Sequence, residues 1–166
     1  MDRLGCVDYL CFGSECGDLQ ALTDTAAALE RPDFVAALRR ELDMECDKMI
    51  LSIGQFIPRK GFDILLEAAS RMKEKADIFI VGGEPTEEYL RLCRELDLKN
   101  VHFLGFMKKE ELVRHYKAAD LFVLPTREDI WGLVINEAMA FGLPVITTDR
   151  CVAGLELVED GVNGYI

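Results

Sequence analysis

From Lys48 to the end of the chain, short apolar runs alternate with segments whose apolar residues recur at helical spacing. Met49-Ile50-Leu51-Ser52-Ile53 is short and almost continuously apolar, which predicts a strand covered on both faces. Phe62, Leu65, Leu66 and Ala69 then form one stripe of a helix, and Ile78-Phe79-Ile80-Val81 predicts a second strand, stopped by Gly82 and Gly83. The pattern repeats with a helix marked by Tyr89, Leu92, Cys93 and Leu96 and a strand Val101-His102-Phe103-Leu104. A further helix through Leu112, Tyr116 and Ala119 leads into Leu121-Phe122-Val123-Leu124. The last pair is a helix from about Trp131 to Phe141, ended by Gly142, and a strand Pro144-Val145-Ile146-Thr147.

Apolar strands alternating with helices predict an α/β fold: a doubly wound parallel sheet, Rossmann-like, with right-handed crossovers. Ligands of such sheets bind beyond the carboxyl ends of the strands, so chemistry is expected in the loops after Ile53, Val81, Leu104 and Leu124. Residues 1–47 read differently, with an apolar stretch Val7 to Phe12, an alanine-rich segment at Ala26-Ala27-Ala28 and a helical run Phe34 to Leu42 after Pro32. The predicted organisation is thus a segment 1–47 of unassigned role and a sheet-bearing domain 48–166. Asn163-Gly164-Tyr165-Ile166 reads as a turn entering a strand with no helix behind it, as in a domain truncated at its C-terminus.

Composition narrows the function. At 166 residues, 50% hydrophobic and 30% charged, the chain is long enough to bury a core without disulfide staples. Thirty acidic against 19 basic residues give a formal charge of −11, a field that repels nucleic acid and anionic lipid, so neither is expected as a partner. An anionic small molecule needs a local basic site. No run of apolar residues is long enough for a transmembrane segment, and Asp2, Asp8, Glu15 and Asp18 break up any signal-peptide core, so a cytoplasmic location is expected. Cys6, Cys11, Cys16, Cys46, Cys93 and Cys151 are then reduced thiols. The five-residue recurrence of the first three lacks the short loop of zinc and iron–sulfur sites, and no metal is expected.

Two segments concentrate candidate chemistry. Gly54-Gln55-Phe56-Ile57-Pro58-Arg59-Lys60-Gly61 places two cations and two glycines between a strand and a helix. Backbone amides, a helix N-terminus and the Arg59 and Lys60 side chains all favour an anion there, although the motif is not a P-loop and a solvated basic turn has the same composition. The second segment runs from Pro125 through Asp129 and Trp131-Gly132-Leu133-Val134 to Glu137 and Ala140. Asp129 and Glu137 stand seven residues apart around a helix start, where the amides of Gly132 to Val134 would face a diphosphate. Carboxylates accept hydrogen bonds from sugar hydroxyls, while an N-cap for Asp129 and a buried, satisfied acid for Glu137 are the plain structural alternatives.

Together with Val81-Gly82-Gly83, Val101 to Phe106, Ala119-Asp120-Leu121-Phe122-Val123-Leu124-Pro125, Gly142-Leu143-Pro144-Val145-Ile146 and Glu159 to Gly164, these segments resemble the C-terminal domain of group 1 glycosyltransferases, glycosyltransferase family 4. The resemblance spans about Lys48 to Ile166. It implies the C-terminal half of a GT-B enzyme: the donor-binding domain of a retaining transferase that moves a sugar from a nucleotide-diphosphate sugar, UDP- or GDP-linked, to an acceptor such as a growing glycan or lipid-linked sugar. No cofactor is implied, because Arg59 and Lys60 would neutralise the departing diphosphate without a metal. Arg59, Lys60 and Asp129 would carry catalysis. Gly54, Gln55, Gly105, Phe106, Gly132, Leu133, Val134 and Glu137 would bind the donor, with the base near Gly105 and Phe106 and the ribose diol on Glu137.

The family usually has arginine after the first loop's glycine and glutamate at the first acidic position, where this chain has Gln55 and Asp129. Its N-terminal acceptor domain has no counterpart in residues 1–47, so it is expected in cis or on a partner chain, with this chain alone inactive and the full enzyme cytoplasmic or at the inner face of the membrane. A non-catalytic nucleotide-sugar-binding or protein-interaction module is the alternative. His102 is expected as a hydrogen-bonded residue at a sheet edge, His115 on a solvated helix face, and Trp131 in core packing or stacked on a donor group.

Overall fold

A computed structural model of the chain describes residues 34–166. The elements are α1 (Phe34–Glu41), β1 (Met49–Ile53), α2 (Phe62–Arg71), β2 (Asp77–Val81), α3 (Glu87–Glu95), β3 (Val101–Leu104), α4 (Lys109–Ala118), β4 (Leu121–Val123), α5 (Leu133–Ala140), β5 (Val145–Ile146), α6 (Val152–Leu157) and β6 (Gly164–Tyr165). Val7 to Phe12, the alanine-rich segment and Cys6, Cys11 and Cys16 lie outside the described residues.

Among the described residues the strands form one parallel sheet in the order β3-β2-β1-β4-β5-β6. The chain fills one side of the sheet outward from β1, then returns to the other side of β1 to continue through β4, β5 and β6. The loops after β1 and β4 therefore leave neighbouring strands in opposite directions, which makes this the topological switch point of the sheet.

Every residue of β1 and β2 is buried, because alternate side chains serve two cores. Met49, Leu51, Ile53, Phe79 and Val81 face one side, under α1, α4 and α5. Ile50, Ile78 and Ile80 face the other, under Phe62, Leu65 and Leu66 of α2 and Tyr89 of α3. Ser52 shares this second face, and its buried hydroxyl donates to the Val123 carbonyl oxygen at 2.6 Å, so β1 and β4 are joined by a side chain as well as by the ladder.

Helix α1 belongs to the same body. Leu38 is buried in the first core, and Arg39 donates to the Ala118 carbonyl oxygen and to Asp120 Oδ2, each at 2.7 Å. Two predicted bounds shorten. Gly132 takes a left-handed conformation (φ 85°), so α5 starts at Leu133 rather than near Trp131. Pro144 has no N–H to give a ladder, and β5 begins at Val145. Cys46, Cys93 and Cys151 are free thiols, and among the described residues no helix is long and apolar enough to cross a membrane.

Candidate functional site

The loop after β1 is folded tightly before α2 begins. Gly54 donates to the Val81 carbonyl oxygen at 2.9 Å, and Pro58–Lys60 make one 3-10 turn. Gly61 (φ 68°) then reverses the chain into α2. Only glycine fits at this reversal, because a Cβ on Gly61 would stand 2.0 Å from the Pro125 carbonyl oxygen.

That near-contact is where the β1 and β4 loops meet, and side chains lace them together. The Arg59 carbonyl oxygen accepts from the Arg127 amide at 2.8 Å and from the buried Thr126 hydroxyl at 3.0 Å. The Arg59 guanidinium reaches back to the Glu128 carbonyl oxygen at 3.1 Å. Arg127 donates to both Asp63 oxygens, at 2.8 and 2.6 Å, and those bonds hold the Asp63 carboxyl below the usual range.

At the centre of this junction Lys60 Nζ donates to Asp129 Oδ2 at 2.8 Å. Lys60 is only 2% exposed and Asp129 6%, so both charges have left bulk water and offset each other's desolvation. The Lys60 stem runs along Gly54, where an added Cβ would lie 3.3 Å from Cδ. The Asp129 amide donates to the Arg150 carbonyl oxygen at 2.9 Å, which anchors its backbone to the segment before α6. Asp129 is therefore not the N-cap of α5; that position is Gly132, which carries no side-chain cap. In the first turn of α5 the Ile135 amide donates to the Gly132 carbonyl oxygen at 2.9 Å, and the helix start carries partial positive charge.

Glu137 lies one turn into α5, is 2% exposed, and accepts a hydrogen bond from the Tyr116 hydroxyl at 2.8 Å. Burial pushes its pKa up to about 8, against the opposing pull of the Tyr116 hydrogen bond and the Lys109 charge. Tyr116 is in turn fixed by stacking on Phe141, with ring centroids 5.1 Å apart. Sequence reasoning placed Tyr116 only in a helical stripe; spacing reveals the stripe but not that the hydroxyl reaches Glu137. Thr126 and Cys151 were missed similarly. Cys151 Sγ packs where a Gly132 Cβ would come, 2.3 Å away, and that closeness accounts for glycine at the turn into α5.

The structure thus brings Gly54, Arg59, Lys60 and Asp129 to one junction, with Gly132 joined to it through Cys151, whereas Leu133, Val134 and Glu137 follow in α5 and Val134 is buried in the first core. Gln55 lies on the same loop, its carbonyl oxygen accepting from Ile57 N at 2.8 Å. Gly105 and Phe106 stand apart, after β3, two strands over from β1. Phe106 is 55% exposed and rests against Gly83, while the space beside Gly105 is open. His102 is as expected: it sits on edge strand β3, Nε2 3.0 Å from Asp77 Oδ1 and its ring stacked on Phe79. His115 is not on a solvated face. The ring points inward beside Phe79 and is buried, because α4 turns that side toward the sheet. Trp131 is not core either; it is exposed and donates through Nε1 to Asn136 Oδ1 at 2.8 Å. Among the described residues no cluster of His, Cys, Asp or Glu is arranged to hold a metal ion.

The Lys60–Asp129 pair lies at the switch point of the Rossmann-like sheet, the place where open α/β sheets bind their ligands. The family described as Glycosyl transferases group 1 matches residues 36–166, and the chain belongs to it. An uncharacterised glycosyltransferase of Methanocaldococcus jannaschii is 37% identical over 132 residues, covering 76% of this chain and 33% of the relative. The D-inositol 3-phosphate glycosyltransferase of Mycolicibacterium smegmatis is 37% identical over 127 residues, covering 72% of this chain and 29% of the relative. The crystal structure of Anabaena HepE in complex with UDP-glucose superposes with a TM-score of 0.74 at 30% identity, covering 82% of this chain and 39% of that one. The fold is that of GT-B glycosyltransferase neighbours, and the chain spans about a third of the length of the curated relatives it matches.

Proposed function

We propose that this chain is the donor-binding, C-terminal half of a retaining GT-B enzyme of glycosyltransferase family 4. The observation that carries the reading is the junction at the β1–β4 switch point, where Lys60, Asp129 and the start of α5 converge. A nucleotide-diphosphate sugar laid across it would set its diphosphate against the α5 amides, Arg59 and Lys60. These fixed positive groups stabilise the charge that grows on the leaving diphosphate as the glycosidic bond breaks, a task that needs no metal ion.

The Lys60–Asp129 pair gives that step a sequence of its own. A diphosphate competes with Asp129 for Lys60, and the displaced carboxylate is then available to sugar hydroxyls. Glu137 takes the ribose diol, and because its carboxyl already accepts from the Tyr116 hydroxyl, the ribose hydroxyls must replace Tyr116 or share the carboxyl with it. UDP is the favoured base carrier, by likeness to HepE with its bound UDP-glucose. The acceptor, a growing glycan or lipid-linked sugar, would be held by an acceptor domain in cis or on a partner chain, in the cytoplasm. Lys60→Ala and Glu137→Ala test the assignment by calorimetry. Each should weaken UDP-sugar binding at least about tenfold, as expected for loss of a charge-assisted bond at Lys60 and of a buried hydrogen bond at Glu137, and unchanged affinity in both removes the proposed site.

A further inference from the structure

Arg127 grips the turn that carries Lys60 from both ends. Its Nη1 donates to the Pro58 carbonyl oxygen, ahead of Lys60, and to Asp63 Oδ1, beyond it, each at 2.8 Å. Nη2 donates to Asp63 Oδ2 at 2.6 Å, so the carboxylate is held by two bonds at once. The planar guanidinium fixes the angle between these partners, which the single ammonium of a lysine would not do. The Arg127 backbone adds a further hold, its amide donating to the Arg59 carbonyl oxygen at 2.8 Å. From α3, the Tyr89 hydroxyl donates to the Ile57 carbonyl oxygen at 3.3 Å and steadies the chain as it enters the turn.

These contacts bracket the buried ion pair. Pro58, Arg59 and Asp63 flank Lys60 along the chain, and Arg127 stands just ahead of Asp129. One side chain thereby sets the loop that bears the cation against the loop that bears the carboxylate. Folding stability does not account for the bond. The Arg127 and Asp63 side chains are 46% and 37% exposed, and single ion pairs so open to water contribute little to stability.

We propose that Arg127 and Asp63 are positioning residues of the donor site, whose forked bond holds Lys60 and Asp129 in the arrangement that receives a sugar diphosphate. The inference rests on the donor-binding reading above and adds to it two residues that act through the Lys60–Asp129 pair. Charge and geometry predict opposite effects at Asp63. If only its field mattered, removing this negative charge would strengthen the binding of an anion. If it positions the loops, removing it weakens binding. At Arg127, lysine keeps the charge and loses the fork, so a field effect would survive the substitution and positioning would not.

The test is calorimetry of UDP-glucose with the wild-type chain, Arg127→Lys, Asp63→Asn, the double variant and Lys60→Ala, with urea unfolding of each protein. Arg127→Lys and Asp63→Asn should each weaken binding at least about fivefold, as expected when binding groups are displaced rather than removed. Their urea midpoints should stay close to that of the wild type. The double variant should bind no more weakly than the weaker single variant, because both substitutions break one bond. Unchanged or tighter binding by Asp63→Asn, unchanged binding by Arg127→Lys, or losses that add in the double variant overturn the positioning role. Weaker binding that comes with a matching fall in the urea midpoint overturns it too, since the bond would then serve only to hold the fold. If the wild type binds and Lys60→Ala does not, any of these results leaves the donor site standing. No binding by the wild type overturns both readings.

Discussion

Lys60 and Asp129 are 69 residues apart in the chain, yet Nζ and Oδ2 meet at 2.8 Å with both side chains buried. The pair closes the gap between the β1 and β4 loops, so a charge suited to phosphate is also a structural tie. Removing one partner of such a pair typically costs about 3–5 kcal/mol, whereas replacing both with apolar groups is often nearly neutral. Lys60→Met and Asp129→Leu should therefore each be strongly destabilising in urea unfolding, and the double variant should recover most of the loss. Additive losses would show that the two charges do not act as a pair.

Gly61 and Gly82 hold the same junction by the absence of a side chain. A Cβ on Gly82 would sit 1.7 Å from the Gly54 carbonyl oxygen, and Gly61 adds a left-handed φ of 68°. Gly61→Ala should cost at least about 2 kcal/mol from the conformation and the clash together. Hydrogen exchange should speed up in segments 54–61 and 124–132 and change little in β2 and β3. Unchanged exchange in both segments would mean that the loops are not coupled through this contact.

Much of this arrangement was legible from periodicity. The strands through Phe122 and the helix stripes needed only the contrast between continuous apolar runs and helical spacing, and parallel connection then put Gly54, Lys60 and Asp129 at one edge of the sheet. What periodicity does not carry is which way a polar group in an apolar helix points. His115, between Arg114 and Lys117, has solvated neighbours but lies on the inward side of α4. Trp131, by contrast, lies outside the core because the left-handed turn at Gly132 redirects the chain. The Lys60–Asp129 bond was equally invisible, since each residue had a sufficient local role, as anion ligand and as helix cap.

The Glu137 carboxyl binds its proton more tightly in the folded chain than when unfolded, with a pKa moved from 4.5 to about 8. Between those values the native state holds the extra proton, so stability from this group is full below pH 4.5 and is lost as pH rises through 8. The slope is at most about 1.4 kcal/mol per pH unit. Glu137→Gln should remove that part of the decline, so the difference between variant and wild type in urea unfolding should grow from pH 5 toward 8. A constant difference would mean that the carboxyl is ionised throughout.

His115 donates from Nδ1 to the Glu111 carbonyl oxygen at 2.8 Å, which leaves Nε2 a buried acceptor with no donor among the described residues, and this should also register in stability. His115→Leu keeps much of the ring's volume and removes the unsatisfied acceptor, and should stabilise the chain by about 1 kcal/mol at pH 8. Because burial lowers the folded pKa of His115 below 6.5, the unfolded chain takes up the proton first and the wild type loses stability as pH falls through 6.5. The advantage of the leucine variant should therefore widen toward pH 5. A destabilised variant at pH 8 would show that Nε2 is matched in solution.

The most direct test of a donor site at the Lys60–Asp129 junction is calorimetric titration of this chain with UDP, GDP and ADP and their glucose conjugates, with and without magnesium. Binding of UDP or UDP-glucose that is unaffected by magnesium and lost in Lys60→Ala is the expected result. Binding that requires magnesium, or that persists undiminished without Lys60, would contradict it.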